Sequence, residues 1–467
     1  MYKHSKKSLK HITKSNKKNN INNIKLLFNT SSNNLNISKS IHKLNSSNIS
    51  TYKLDKLLKY PSPIIVDLNI KSHSKYDIDK IIYEQNIQIV NSIKLYQNIE
   101  EKEKKKISKI IQNISHNLST YINKTFFGYD TIKGISNGYA KLWEIYHIYG
   151  KQITSHIKSS SKNEKVTILH MCEAPGNWIK CTRHYITRFY PEIRYDWYAN
   201  SLNPNNKENK EKYGNGKIFD DELKYMATYP QKWLFGNDNT GDITRVANIK
   251  QFAILMHKQN MKLITGDAGL SNDMDIYILQ KLEVAQLVMC LACSTSGANC
   301  IIKNFANSYI ASDKDKFKKS INYVASLISI YCKFYKNVHI MKPITSNPLS
   351  GEYYIIGINF KGISNTQLDY YYKLLDDFEI DMILNDISKD ETDIIHSCLA
   401  QIYNLQTSSY DMLNVLFLCK SLKETTSKDA KQCNYYLENS FKFNQDLFKM
   451  WMKKNNYVPI FMTSMGK

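Results

Sequence analysis

Two ionisable residues stand at the ends of short apolar runs, where side chains are usually buried. Lys303 follows three apolar residues, whereas most lysines in this chain have polar neighbours. A lysine at the inner end of a buried strand must be paired with a carboxylate or take part in chemistry. Asp267 ends another apolar run and lies between two nearby glycines, which leaves the backbone around it open to a substrate. The two residues therefore indicate either an ordinary ion pair or a site that moves a proton.

Residues 171–178 (MCEAPGNW) form a second candidate site, between a predicted strand and a predicted helix. Pro175 and Gly176 predict a tight turn, and the missing side chain of Gly176 would let a ligand approach the backbone. The helix that follows begins with unpaired N–H groups. Such a loop suits a nucleoside cofactor. It is not a dinucleotide loop, because the three-glycine fingerprint is absent.

The elements that must position these residues alternate between strand-like and helical patterns. The predicted strands are 166–170, 195–199, 263–265, 298–302, 337–341 and 353–360, and the predicted helices include 178–188, 277–293 and 316–335. This alternation predicts an α/β fold with an open, mostly parallel sheet, Rossmann-like in type. Ligands bind at the carboxyl ends of strands in such sheets, and the loop, Asp267 and Lys303 all follow such ends.

The loop resembles the APGGW or APGGF cofactor loop of the FtsJ-type ribose 2′-O-methyltransferases. The CEAPG form is similar to the branch found in large DNA viruses and in mRNA cap methyltransferases. Asn177 replaces the second glycine of the family, and His170 stands where many relatives carry an acid. The resemblance implies S-adenosylmethionine as cofactor, held by Cys172, Glu173, Ala174, Pro175, Gly176, Asn177 and Trp178.

A second matching segment is 239–244 (NTGDIT), and it contributes one more cofactor residue. By resemblance, Asp242 would accept a hydrogen bond from the amino group of the adenine. A carboxylate at a loop tip is otherwise a common turn former.

The same family uses a Lys-Asp-Lys-Glu tetrad, and the resemblance places it at Lys141, Asp267, Lys303 and Glu352. A ribose hydroxyl is a poor nucleophile, so an enzyme must orient it towards the methyl sulfonium and take its proton. A lysine that accepts this proton must be neutral, so its pKa must fall below about 10.4. We expect the second lysine and partial burial to lower it, while the carboxylates position both ammonium groups.

The chain divides into four predicted regions. Residues 1–60 form a basic, largely disordered tail with a short helix near 24–28, and 61–129 form a helical N-terminal extension. The FtsJ-like methyltransferase domain is predicted at 130–362. Residues 363–467 are predicted to be helical, with a structural or partner-binding role.

Composition bounds the class of protein. The chain has 467 residues, and its 42% of apolar residues allows a core. Its formal charge of +22 favours polyanionic partners such as RNA, although a bias towards lysine codons would also raise the charge. Apolar runs fall short of the roughly 20 residues of a spanning helix, so no membrane is expected. Cys290, Cys293 and Cys300 are interpreted as buried apolar residues and no metal is expected. The scattered cysteines and the lack of a secretory signal favour the cytoplasm, or a virion or viral factory if the chain is viral.

The resemblance and the charge together predict an S-adenosylmethionine-dependent RNA 2′-O-methyltransferase that acts on the first nucleotides of capped mRNA. An rRNA or tRNA ribose methyltransferase and an inactive RNA-binding subunit remain alternatives, although the intact tetrad argues against the latter. A nicotinamide-dependent oxidoreductase lacks the glycine fingerprint and its ribose-binding acid. A protein partner could bind through the C-terminal region. The sequence leaves open the nucleotide that is methylated, the residues that grip the cap and the need for a partner.

Overall fold

The computed structural model describes residues 64–68, 77–97, 135–158, 165–213, 221–269, 275–306, 313–422, 446 and 448–457. The predicted basic tail and its short helix near 24–28 lie outside these residues.

A single eight-stranded sheet organises the described part of the chain. Its strands are β1 (Ile64–Asp67), β2 (Val166–Met171), β3 (Tyr195–Asn200), β4 (Trp233–Leu234), β5 (Met261–Gly266), β6 (Asn299–Phe305), β7 (Tyr335–Lys342) and β8 (Glu352–Phe360). The spatial order is β1-β7-β8-β6-β5-β2-β3-β4. Strands β4, β3, β2, β5 and β6 are mutually parallel, whereas β8 runs antiparallel to both of its neighbours and β1 runs antiparallel to β7. The α/β prediction is therefore confirmed.

Helices cover both faces of the sheet. They are α1 (Ile78–Gln97), α2 (Asn137–Lys158), α3 (Asn177–Phe189), α4 (Lys207–Tyr213), α5 (Tyr225–Thr228), α6 (Val246–Met256), α7 (Ile276–Cys293), α8 (Lys314–Phe334), α9 (Asn365–Asp376) and α10 (Lys389–Leu422). Residues 448–454 are also helical and belong to a C-terminal segment, 448–457.

Alternating strand residues divide the core into two layers, because successive side chains point to opposite faces of a sheet. Ile302 and Ile355 pack with α6, α7, α8 and α10 on one face. Ile301 and Ile356 pack with α2, α3 and the C-terminal segment on the other. The second layer carries the site described below.

Strand β1 was not predicted. The sequence indicated only helix between 61 and 129, but Ile64–Asp67 pairs antiparallel with β7 at the edge of the sheet. Its four residues are too few for a period-2 pattern to emerge. Helix α1 confirms the first part of the helical prediction, and residues 98–134 lie outside the described part of the chain.

Helix α7 is long and apolar enough to cross a membrane by length and composition, which the sequence reading did not anticipate. It has 18 residues with a mean hydropathy of 1.5, and 67% of it is buried inside the protein. It packs against β5, β6, α6 and α9. This is the environment of a core helix, and it explains why the helix is apolar on all sides.

Candidate active site

The four tetrad residues meet at the edge of the sheet where the parallel strands end. Asp267 directly follows β5, and Lys303 lies near the end of β6. Glu352 begins β8, which is antiparallel and therefore starts at the same edge. Lys141 reaches this edge from the first turns of α2.

The four side chains form two ion pairs. Lys141 Nζ lies 2.7 Å from Glu352 Oε1, and Lys303 Nζ lies 3.1 Å from Asp267 Oδ1. Lys303 also donates to the backbone carbonyl of Asp267 at 3.1 Å. Asp267 is the most open of the four, with 22% of its side chain exposed, against 9% for Lys303 and for Glu352. A substrate can therefore reach the network at the Asp267–Lys303 pair.

Tyr354 joins the two pairs and was missed by sequence reasoning. Its hydroxyl lies 3.1 Å from Glu352 Oε1 and 3.3 Å from Asp267 Oδ1. The only signal in the sequence is its place two residues after Glu352, which puts both side chains on the same face of a strand.

Electrostatics in this network differ from the sequence-based expectation. Burial alone would lower the pKa of Lys303, but the charges of Asp267 and Glu352 outweigh it and raise that pKa above its ordinary value. The expected lowering is therefore wrong for the protein without ligand, because both carboxylates stabilise the ammonium. Burial likewise opposes ionisation of Glu352, yet Lys141, Lys303 and Lys342 hold its pKa well below the ordinary range.

A cavity of about 590 Å³ opens directly beside the tetrad. Asp267 and Lys303 line it, as do Asp242 and every residue of the predicted loop from Cys172 to Trp178 except Gly176. Its volume falls within the range of about 300–1,000 Å³ that is usual for small-molecule sites. The cavity thus connects the predicted cofactor residues to Asp267 and Lys303, whereas Lys141 and Glu352 lie outside its lining.

The lining offers an apolar wall and an unpaired donor, which suit a nucleoside. Apolar side chains from one loop and from α7 supply a wall for a base, namely Ile243, Ile278 and Leu282. The indole Nε1 of Trp178 is buried and has no hydrogen-bond partner among the residues that the structure describes, so it can donate to a ligand. These apolar positions lie in a loop and in the first turns of α7, where no sequence pattern marks them.

The part of the chain that carries the cavity and the four tetrad residues matches a known protein family. Residues 135–360 match the family model described as FtsJ-like methyltransferase. These residues form an FtsJ-like methyltransferase domain. The match begins just before α2 and ends with β8, so the FtsJ-like domain contains the whole tetrad and the cavity.

Curated relatives include viral and cellular proteins. The chain is 30% identical to "Uncharacterized protein L511" of Acanthamoeba polyphaga mimivirus, over 72% of this chain and 40% of that protein. It is 28% identical to "Cap-specific mRNA (nucleoside-2'-O-)-methyltransferase 2" of Drosophila melanogaster, over 48% of this chain and 30% of that protein. It is 26% identical to "Probable methyltransferase EP424R" of African swine fever virus, over 40% of this chain and 43% of that protein. The chain thus spans less than half the length of each of these relatives.

The predicted cofactor loop, residues 171–178, makes hydrogen bonds to the start of α3 that the sequence did not indicate. The buried carboxylate of Glu173 accepts hydrogen bonds from the backbone N–H groups of Trp178 at 2.7 Å and Ile179 at 3.0 Å. These are amides at the start of α3 that we expected to face a ligand, so that expectation is wrong for these two groups. Burial raises the pKa of Glu173, and the two hydrogen bonds oppose this rise.

Gly176 is required by packing and backbone conformation. Its φ is +113°, and a Cβ atom there would lie 2.5 Å from Cδ2 of Tyr225. Its N–H donates to the carbonyl of Glu173 at 2.8 Å. The turn and Tyr225 therefore account for the glycine, and its approach to a ligand stays a prediction.

The carboxylate of Asp242 already accepts hydrogen bonds from several groups of the protein. Thr244 donates to its Oδ1 through the backbone N–H and the hydroxyl. Lys212 Nζ and the Tyr213 hydroxyl lie 3.2 Å and 3.1 Å from Oδ2. Burial opposes ionisation, but these partners lower the pKa of Asp242. An adenine amino group would have to share Oδ2 with Lys212 and Tyr213, so the role of Asp242 stays a prediction.

Cys290, Cys293 and Cys300 lie fully buried in the core between α7 and β6. Burial raises the pKa of Cys290 and Cys293. The described residues bring together no group of three His, Cys, Asp or Glu side chains that could hold a metal ion.

Proposed function

We propose that the FtsJ-like domain methylates ribose 2′-hydroxyls of RNA with S-adenosylmethionine, acting on the first nucleotides of capped mRNA. The observation that carries this proposal is the shared wall of the cavity, where Asp267 and Lys303 stand beside the predicted cofactor loop. A nucleoside cofactor in the cavity would have its reactive end next to these two side chains.

Lys303 is the proposed general base. The loop residues 172–178 and Asp242 would hold S-adenosylmethionine, and Lys303 Nζ would take the proton of the acceptor hydroxyl as that oxygen receives the methyl group. S-adenosylmethionine, when bound, supplies the methyl group from a positively charged sulfonium. Lys303 must first lose its proton, and a positive charge nearby lowers the pKa of an ammonium group. Cofactor binding would therefore offset the rise in the pKa of Lys303 that Asp267 and Glu352 cause.

The other members of the network hold Lys303 and the acceptor in place. Asp267 binds Lys303 through both its carboxylate and its carbonyl, which restricts the direction of Nζ. Lys141 and Glu352 form the second pair, and Tyr354 links it to the first. Fixing the attacking oxygen in line with the methyl group accounts for a large part of the rate in reactions of this kind.

Cap-directed activity is the finer part of the proposal, and the names of two kinds of relatives support it. One is a cap-specific mRNA 2′-O-methyltransferase, and others are viral proteins. The charge of +22 suits an RNA partner. An mRNA substrate would place the protein in the cytoplasm, or in a virion or viral factory if the chain is viral. We propose the C-terminal helical region as the surface that binds a protein partner.

One RNA sequence prepared with a methylguanosine cap or with a 5′-triphosphate tests the cap requirement. We expect methyl transfer to the capped form to be at least about tenfold faster, since each 1.4 kcal/mol of added transition-state contact gives a factor of ten. Equal rates would favour the rRNA or tRNA alternative.

A further inference from the structure

Lys342, the last residue of β7, is a buried lysine outside the tetrad. Only 1% of it is exposed. Its Nζ lies 2.7 Å from the carbonyl oxygen of Ser350, 2.8 Å from that of Glu352 and 3.2 Å from that of Asn347. All three carbonyls belong to the loop between β7 and β8 or to its end. The ammonium group therefore sits inside this loop, which closes around it.

A chain of two hydrogen bonds connects Lys342 to the carboxylate of Glu352. Lys342 Nζ lies 3.3 Å from the Ser346 hydroxyl, and that hydroxyl donates to Glu352 Oε1 at 2.9 Å. Lys141, on helix α2, forms an ion pair with the same carboxylate. Glu352 is thus held by Lys342 at its backbone directly and at its side chain through Ser346.

The first part of the loop has a different anchor. Glu144 of α2 accepts hydrogen bonds from the N–H groups of Ile344 at 2.9 Å and Thr345 at 3.3 Å. Lys342 binds the later part, from Ser346 to Glu352, at four residues, while Gln406 and Ala306 donate from outside the loop to the carbonyls of Leu349 and Gly351. Burial lowers the pKa of Lys342 to about 7, with Glu352 opposing this fall and Lys141 adding to it. Burying a lysine is unfavourable unless its hydrogen bonds compensate, which indicates that this position serves more than packing.

We propose that Lys342 is a positioning residue of the site: its ammonium group closes the β7–β8 loop and, through Ser346, sets the carboxylate of Glu352 against Lys141. Lys342 does not contact the cavity, so it acts through Glu352 and not on the reacting atoms. This inference rests on the proposed methyl-transfer function, and it adds a third lysine to the two of the tetrad.

The decisive variant is Lys342→Met, which keeps the length of the side chain and removes the ammonium group. We expect kcat for methyl transfer to fall by about 10-fold to 100-fold, as when a charged hydrogen-bond partner is lost. The Kd for S-adenosylmethionine should stay within about twofold, because the cavity wall is untouched. Amide hydrogen exchange should rise within 346–352 and not in β2 or β5.

Lys232→Met is the matched control. Lys232 has 19% of its side chain exposed and is paired at 2.6 Å with Asp196, near the start of β3 and away from the edge that carries the tetrad. This variant should leave kcat and the exchange of 346–352 unchanged. Ser346→Ala removes only the bridging hydroxyl and should lower kcat several-fold in the same direction as Lys342→Met.

Wild-type kcat and wild-type loop exchange in Lys342→Met would overturn the inference. If that variant does not fold, Ser346→Ala decides, and an unchanged kcat in a folded Ser346→Ala protein overturns it equally. A wild-type protein that transfers no methyl group would instead contradict the proposed function, while loop exchange would still test the role of Lys342.

Discussion

Gly138 lies in the first turn of α2, against the edge of the sheet that carries Asp267. A Cβ atom there would come within 3.0 Å of Asp267 Oδ2 and 3.4 Å of Trp178 Nε1. Both groups line the cavity. The missing side chain therefore leaves space for the Oδ2 atom of Asp267.

Gly138→Ala should separate stability from activity. Alanine is favoured over glycine in a helix by up to about 1 kcal/mol, so the melting temperature should stay the same or rise. The added methyl group would displace Asp267 by a few tenths of an ångström, and we expect methyl transfer to fall by about tenfold. Thermal unfolding and initial rates measure the two effects. A variant as active as the wild type would show that Asp267 does not need this space.

Lys303 has a raised pKa, which fixes the sign of the pH dependence. Only the neutral amine accepts a proton, so the rate at saturating cofactor should increase with pH above neutrality and then level off. Lys303→Ala should lose at least about a hundredfold in rate. Lys303→Arg should not restore it, because a guanidinium keeps its proton at any working pH. Near-normal turnover of Lys303→Arg would rule out proton transfer to this residue.

The same raised pKa affects stability, so folding must be monitored in that experiment. A lysine whose pKa is higher in the folded than in the unfolded protein stabilises the fold below its unfolded pKa of about 10.4. That contribution is lost as pH rises through the folded pKa. Circular dichroism at each pH separates loss of structure from loss of activity.

Residue types predicted some of the site and not the rest. Lys303 was recognisable because a lysine is unusual at the end of an apolar strand. Tyr354 was not, because the chain has 33 tyrosines and the type alone carries no signal. The direction of the Lys303 pKa depended on how the charges pair in space, which the order of residues along the chain does not contain.

At the scale of elements, the C-terminal segment supports the catalytic half of the FtsJ-like domain. Trp451 Nε1 donates to Glu144 Oε2 at 3.0 Å, and Glu144 binds the start of the β7–β8 loop. Glu144 lies one helical turn after Lys141 on α2. The segment therefore helps to fix the helix and the loop that carry the second ion pair.

Trp451→Phe should reduce activity as well as stability. It removes one donor from the buried carboxylate of Glu144, which costs about 1–3 kcal/mol. We expect kcat to fall several-fold with little change in cofactor affinity. Trp143→Phe is the control, since Trp143 Nε1 donates at 3.1 Å in the same interface to the carbonyl of Asn455 and not to the carboxylate of Glu144. Urea unfolding and initial rates compare the pair. Equal losses of kcat would mean that the segment contributes stability alone.

Periodicity predicted the elements better than their ends. The long runs of apolar residues in β6, β8 and α7 indicated their type correctly. Strand β1 was missed because four residues give no pattern, and the cap that Glu173 provides to α3 depends on a side chain that reaches forward to the N–H group five residues later. Such local closures follow from three-dimensional packing and leave no regular spacing in the sequence.

At the scale of the whole molecule, the positive charge should govern the encounter with RNA. Residues 1–60 contain many lysines, and Asp55 is their only acidic residue. Deleting residues 1–59 should reduce the slope of log affinity for RNA against log salt, because fewer counterions are released. Methyl transfer to saturating RNA should change little. Fluorescence anisotropy at several salt concentrations gives the slope, and an unchanged slope would show that the tail does not bind RNA.

The central claim is that the cavity and the tetrad together methylate a ribose hydroxyl, and one acceptor pair tests it most directly. Two capped RNAs of the same sequence would differ only in having ribose or 2′-deoxyribose at the first two transcribed nucleotides. With S-adenosylmethionine labelled in its methyl group, we expect label in the ribose RNA and none above background in the deoxyribose RNA, which lacks the attacking oxygen. Equal labelling of the two RNAs would place the methyl group elsewhere and contradict the account.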